Sequence, residues 1–304
     1  METMTPLTDR LFRPGVRLAL GYCLESTSRI GRLIDQDLTA AVIFTGLVCR
    51  NVVAGEASGR PPARPGASPT APATAYCISK RVGMPYETVR RHMHRLEAKG
   101  LCVRAEGGFL VPDDVMFGPG IEQARAETWA ATRQLHRDLR AVGLNLPDWD
   151  EDATAPARHR LARLATPYFL NSLSVLSGAL GGDLVSTIMF LAVKRANTAG
   201  LDLNPDVLHR YDSADALFPD HLRTPVTVYQ IARDLRLPYE TARRHARALV
   251  AADLCERDAS ARLVVTSRIL VSPAITKASE EIWRLTTGFL EAILGDADRA
   301  LEAA

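Results

Sequence analysis

The chain has 304 residues, 47% of them hydrophobic and 24% charged, and a formal net charge of +2. That length accommodates about two domains, and the composition is that of an ordinary globular chain rather than a disordered one. A charge so near balance excludes a wholly basic, histone-like binder, although a local basic patch is what nucleic acid responds to.

In chain order, residues 1–13 lack the apolar core and small-residue cleavage site of a signal peptide. Residues 14–34 form an expected helix, with Leu18, Tyr22, Ile30 and Ile34 among its apolar positions. A second helix is expected over 37–53, through Leu38, Val42, Ile43, Leu47 and Val48. Residues 55–72 hold Pro61, Pro62, Pro65, Pro69 and Pro72 without periodicity and read as a loop. Arg60 and Arg64 lie in it, either to touch a phosphate backbone or as part of a dispensable connection. Thr74 then suits an N-cap, and about two helical turns lead to a tight turn at Gly83-Met84.

The next stretch, 85–104, is used twice: 238–257 aligns with it without a gap. Pro-Tyr-Glu-Thr, Arg-Arg-His, Leu-Cys and a final Arg recur in both copies. Val89, Met93 and Leu96 fall at i, i+4 and i+7 and make one apolar stripe, which Ala242, Ala246 and Leu249 repeat. The proline is expected in the first helical turn, where the following Glu complements the helix dipole. Gly100 ends the first helix, and Asp253 takes its place in the second. The opposite face carries Tyr86, Thr88, Arg90, Arg91, His94 and Arg95, matched by Tyr239, Thr241, Arg243, Arg244 and Arg247. From 80 to 104 there are seven Lys or Arg against two Glu, a net of +5; from 233 to 257 there are six Arg against four acids, a net of +2. A cationic face that starts at a helix N-terminus suits the major groove: Arg can fork onto guanine or hold a phosphate, and Thr and Tyr reach phosphates or base edges. Two short apolar runs around Gly107-Gly108 read as a hairpin, and a second hairpin is expected around 258–261, next to Arg262.

The run from Ile78 through Arg104, and again from Ile231 through Arg257, resembles the winged helix-turn-helix of bacterial transcriptional regulators of the MarR, GntR and ArsR kind. Such families share a short turn, then Ser-x-x-Thr-Val-x-x-x-Leu-x-x-Leu-x-x-x-Gly-Leu, then the wing; here Pro85 and Pro238 stand where Ser is usual. The resemblance covers roughly 40 residues in each half. It implies a mainly α fold with short β-hairpin wings, an internally duplicated winged helix-turn-helix with flanking scaffold helices.

The flanking helices are expected over 14–34, 119–142, 166–180 and 273–294, and 183–199 is expected as the first helix of the second winged-helix domain, with Asp37-Leu38 and Asp183-Leu184 opening corresponding helices and Trp283 answering Trp129 as a core anchor. Residues 145–156 are acidic and mark the expected boundary between residues 1–150 and 151–304. The apolar run 173–193 contains Asp183 and a Gly-Gly pair, so a helix break is expected there and no membrane span. Five cysteines, at 23, 49, 77, 102 and 255, lack CxxC spacing. They point to neither a disulfide framework nor a zinc site. Cys102 and Cys255 share a repeat position, as small buried hydrophobes or as a redox sensor. No carboxylate or Cys sits at helical spacing from His92 to make a metal site with His94, and no cofactor is implied. There is no Gly-x-Ser-x-Gly, Walker loop or Gly-x-Gly-x-x-Gly with its acidic partner, so an enzyme is not expected.

The function that follows is a cytoplasmic, nucleoid-associated DNA-binding transcriptional regulator. One chain would act as a pseudo-dimer (or dimerise again) on double-stranded DNA, at an imperfect palindrome because the copies have diverged. Two other functions remain open: a replication initiator of plasmid or phage type, and a winged-helix module that binds protein without binding DNA.

Overall fold

The computed structural model describes residues 9–35, 37–58, 70–149, 151–201 and 217–302. They are mainly helical, with two small antiparallel sheets of two strands each. Two compact units emerge, each assembled from three stretches of chain. Ser26–Arg133, Trp149–Ser174 and Gly288–Ala304 form the unit with the first copy; Met1–Glu25, Gln134–Asp148 and Val175–Thr287 form the unit with the second. This partition differs from a single cut near residue 150. The first helix, α1 (Asp9–Leu33), has 25 residues; at ~1.5 Å per residue such a helix outlasts the width of a small domain, and the unit boundary falls within it.

In the first-copy unit, α2 (Leu38–Ala57) is capped by Asp37, whose Oδ1 accepts from Ala40 N at 2.9 Å. Then come α3 (Ala75–Val82), α4 (Tyr86–Ala98), β1 (Val103–Ala105) paired with β2 (Gly108–Leu110), a short α5 (Asp113–Met116) and α6 (Pro119–Ala141). α4 packs on α2 and α3. Ile43, Phe44, Leu47, Ile78, Met93 and Leu96 fill the core between them. α2 is long and apolar enough in composition to cross a membrane, but its apolar side chains are spent on this core. The loop begins only after α2; Arg60 and Arg64 lie outside the described residues, as do residues 1–8 of the expected leader-free start.

In the second-copy unit the order recurs. α7 (Ala155–Ala179) precedes α8 (Leu184–Thr198), with the expected break between them: Gly181 and Gly182 both have positive φ. Asp183 caps α8 through Ser186 N at 2.9 Å. A 3-10 turn (Asp220–Leu222), α9 (Val228–Asp234), α10 (Tyr239–Ala251), β3 (Glu256–Arg257), β4 (Leu263–Val264), α11 (Ser267–Leu270) and α12 (Pro273–Glu302) follow. α7 starts well before the expected 166, in the first-copy unit, with Pro167 inside it. Proline was a poor guide there, because Ala157, Leu161 and Ala165 already form a buried stripe ahead of it and Thr154 caps Ala157 N at 3.3 Å. The long helices do carry buried tryptophans: Trp129 lies 5.0 Å from Trp149 in one unit, and Trp283 lies against Gly15 in the other.

Each hairpin is fixed by one buried asparagine that periodicity had not singled out. Asn51 Nδ2 donates to Ala71 O and to Phe109 O, both at 2.9 Å, and its Oδ1 accepts from Val111 N at 3.0 Å. Asn197 Nδ2 donates to Thr224 O at 2.8 Å and Leu263 O at 3.2 Å, and its Oδ1 accepts from Val265 N at 2.9 Å. In each copy two of the ties hold the second hairpin strand and the residue after it to α2 or α8, and the third holds the segment that leads into the next helix. An outward edge such as this needs side-chain partners for its backbone, since buried N–H and C=O groups are costly to leave unpaired.

Candidate nucleic-acid interface

The turn before each basic helix requires a left-handed residue. Gly83 supplies it at φ 67° in the first copy and Arg236 at φ 53° in the second. A side chain in that region costs ~1–2 kcal/mol, against which glycine loses ~0.5–1 kcal/mol of unfolded-state entropy. Arg236→Gly is therefore expected to stabilise the second-copy unit by about 0.5–1 kcal/mol, seen as a higher urea midpoint at constant slope. An unchanged or lower midpoint would mean that the Arg236 side chain contributes more than its backbone costs. Pro85 and Pro238 sit one position further out than expected, as N-caps at φ −55° and −54° with no side-chain cap.

Beyond the proline the two helices present the same faces. Val89, Met93 and Leu96 are buried, as are Ala242, Ala246 and Leu249. Tyr86, Arg90, Arg91, His94 and Arg95 are exposed and Thr88 is half-buried. Tyr239, Arg244 and Arg247 are exposed, with Thr241 and Arg243 half-buried. The arginines fall into two groups. Arg90 and Arg243 are held on their own helices, by Glu87 at 2.8 Å and Glu240 at 2.5 Å, and each carboxylate raises its partner's pKa above the ordinary value. Among the described residues no carboxylate lies within ion-pair distance of Arg91, Arg95 or Arg247. Among the described residues Arg244 meets no carboxylate, and its guanidinium lies 3.4 Å from the His245 ring. Among the described residues these four are the arginines of the two exposed helix faces whose charge is not already matched.

His94 has a more structural setting. Its ring lies edge-on to Phe109 and takes Arg104 Nη2 at 3.0 Å from Nδ1, while Arg104 also binds Glu97. It therefore helps hold β1 and β2 against α4, and Arg247 at the repeat position has no such tie. Arg262, on the second hairpin, is held by Asp258 at 2.7 Å.

Two further exposed tyrosines that the sequence had not assigned lie on the helices that precede the basic ones. Tyr76 and Tyr229, one residue into α3 and α9, are 59% and 65% exposed, more than Tyr86 or Tyr239. Their signal was present: both follow a capping Thr at the same repeat position.

The histidine of Arg-Arg-His points the other way. His92 is buried on α2, with Nδ1 3.7 Å from the capping Asp37. His245 reaches the matching cap, 2.7 Å from Asp183 Oδ2 and 3.0 Å from Ser186 Oγ. Its recurrence is a packing requirement, whereas that of the arginines is not. Burial pushes the His92 ring below its ordinary 6.5, with Asp37 opposing and Arg95 and Arg91 adding to the shift. The fold thus favours neutral His92. Above pH 6.5 both states are neutral; below it the unfolded chain takes the proton first, so stability falls with pH. Urea midpoints are expected to drop as pH falls from 6.5 toward the lower folded value, and His92→Gln should flatten that slope. A slope unaltered by the substitution would assign it to other groups.

Cys102 and Cys255 are fully buried, and burial pushes their thiols up to about 11 and about 12. Both are protonated near neutrality, a poor state for a redox sensor. Among the described residues no three His, Cys, Asp or Glu side chains gather as a metal would need. No protein-family model, curated protein or solved structure matches the chain.

Proposed function

We propose that the two copies are winged helix-turn-helix domains, in a duplicated chain, that bind double-stranded DNA through α4 and α10 and regulate transcription. The observation that carries this is the unmatched charge of Arg91, Arg95, Arg244 and Arg247 on helices whose opposite faces are buried. A repeat under pressure only to fold would keep the stripe and let the shared Arg91/Arg244 position drift; Arg95 and Arg247, whose counterparts are Ala248 and His94, add charge without recurring. On this reading Arg91 and Arg244 enter the major groove with Thr88 and Thr241, and the exposed tyrosines flank them toward the phosphates. Arg90 and Arg243, already held by glutamates, serve backbone contact. Divergence at Val89/Ala242 and His94/Arg247 makes an imperfect palindrome the expected site. Genome-wide occupancy in the native host tests the proposal. Promoter peaks sharing a two-part motif, lost in the Arg91→Ala, Arg244→Ala variant, are the expected result. Peaks confined to an origin would replace regulation with initiation, and no peaks at all would leave the face to a protein partner.

A further inference from the structure

The sequence repeat extends further than the basic helices. Residues 13–53 align with 159–199 without a gap, keeping Arg17/Arg163, Leu18/Leu164, Tyr22/Tyr168, Phe44/Phe190 and Asn51/Asn197. Each unit uses this repeat to wall a cavity at the same place. In the first-copy unit the walls come from the end of α1, from α2, from the start of α6 and from the start of α7, and they enclose about 560 Å³. In the second-copy unit the matching walls come from α7, α8, α12 and α1 and enclose about 70 Å³.

The difference has an identifiable cause. In the second-copy unit the chain fills its own cavity. Phe218 is 5% exposed and lies there under Arg17, whose guanidinium is 4.5 Å from the ring centre. Arg223 fixes the segment, donating to Phe218 O at 2.9 Å and to Asp220 at 3.0 Å. In the first-copy unit Thr70 stands at the repeat position of Arg223, and residues 59–69, Gly-Arg-Pro-Pro-Ala-Arg-Pro-Gly-Ala-Ser-Pro, contain no aromatic or branched aliphatic residue. Yet the counterpart of Arg17 is kept: Arg163 lines the larger cavity, held loosely by Glu56 at 3.4 Å.

We propose that the first-copy cavity binds a small neutral aromatic molecule, which takes the place that Phe218 takes in the other unit, with its ring under Arg163. Phe44, Val48, Phe117 and Ile121 supply apolar walls. The volume lies within the ~300–1,000 Å³ range of small-molecule sites. Neutrality follows from the charges around it. Arg125, Arg160 and Arg163 are already matched by Glu122, Glu151 and Glu56, which leaves no cation in want of an anion.

The test uses the full chain and N-phenyl-1-naphthylamine, a neutral aromatic probe that fluoresces in apolar surroundings. One saturable site per chain is expected. Val52→Trp and Ala124→Trp, which fill the cavity from α2 and from α6, should each abolish it while thermal melts show a folded protein. Arg163→Leu should weaken the probe about two- to fivefold, the loss of one cation–π contact, without affecting displacement by 1-decanol. Phe218→Ala should raise the stoichiometry from one to two, since an apolar cavity opened by truncation accepts aromatic molecules. Absence of saturable binding, or binding that survives both tryptophan substitutions, would overturn the proposal. Equal loss of probe and decanol in Arg163→Leu would overturn the aromatic assignment.

Discussion

The Arg91→Ala, Arg244→Ala double variant is expected to lose most of its specific DNA affinity and none of its fold. Both side chains are exposed and neither has a carboxylate partner among the described residues, so truncation removes no packing and strands no charge. A base-reading arginine contributes ~1–3 kcal/mol to specific binding. Two on separate helices should add, because well-separated sites are nearly independent. The expected loss is therefore about 2–6 kcal/mol, a rise in Kd between roughly thirtyfold and more than ten-thousandfold. Fluorescence anisotropy at fixed salt measures it, with the thermal melt as the control for folding. Arg→Lys at the same positions separates two roles. A lysine keeps a phosphate contact but cannot make the planar fork onto guanine, so partial rescue assigns the arginines to the backbone and no rescue assigns them to bases. Arg90→Ala and Arg243→Ala should cost less, since Glu87 and Glu240 already hold those guanidiniums. A double variant that binds as tightly as the parent would remove α4 and α10 from the interface.

The basic helices were legible because two independent periodicities coincide in them: an apolar stripe of 3.6-residue spacing and a repeat that keeps the opposite face. The capping aspartates Asp37 and Asp183 and the break at Gly181-Gly182 were legible for local reasons, since short polar side chains and glycine act through their own backbone. What remained hidden depends on partners distant in sequence. The buried setting of His92 was hidden because sequence shows its neighbours Arg91 and Arg95 and not Asp37 across the helix contact. The start of α7 was misplaced because Pro167 resembles a helix start, whereas tertiary burial of Leu161 and Ala165 outweighs one missing hydrogen bond. The assembly of each unit from three stretches could not be read locally at all. The cavity beside Phe218 was hidden for the same reason, although the gapless match of 13–53 with 159–199 was available as a signal.

The asparagines Asn51 and Asn197 carry the second large effect, this time on stability. Each lies fourteen residues after its capping aspartate, on the buried side of an apolar helix, where an amide is tolerated only if it is fully used. Asn51→Ala removes three hydrogen bonds. Phe109 O keeps another donor, Ala73 N at 2.9 Å, so the stranded groups are Ala71 O and Val111 N. Each buried unpaired group costs ~1–3 kcal/mol, which sets the expected destabilisation at about 2–6 kcal/mol before the small cavity adds to it. Thr224 O and Val265 N are the corresponding groups for Asn197→Ala, since Leu263 O retains Val226 N at 3.0 Å. Asn51→Asp should be worse than alanine. It keeps the acceptor for Val111 N but turns a carboxylate oxygen toward two carbonyls in a dry site, where a charge without a donor is costlier than a void. Urea unfolding gives the order: parent, then alanine, then aspartate, with aspartate recovering part of its loss at low pH as it protonates and regains a donor. A destabilisation below about 0.5 kcal/mol for Asn51→Ala would place it in the range of ordinary surface substitutions. The hairpin would then be held by β1 and β2 pairing alone. If the cost is as large as expected, the amide is what fixes each hairpin beside its basic helix, and an Asn51 variant that still folds should lose DNA affinity without any change to α4.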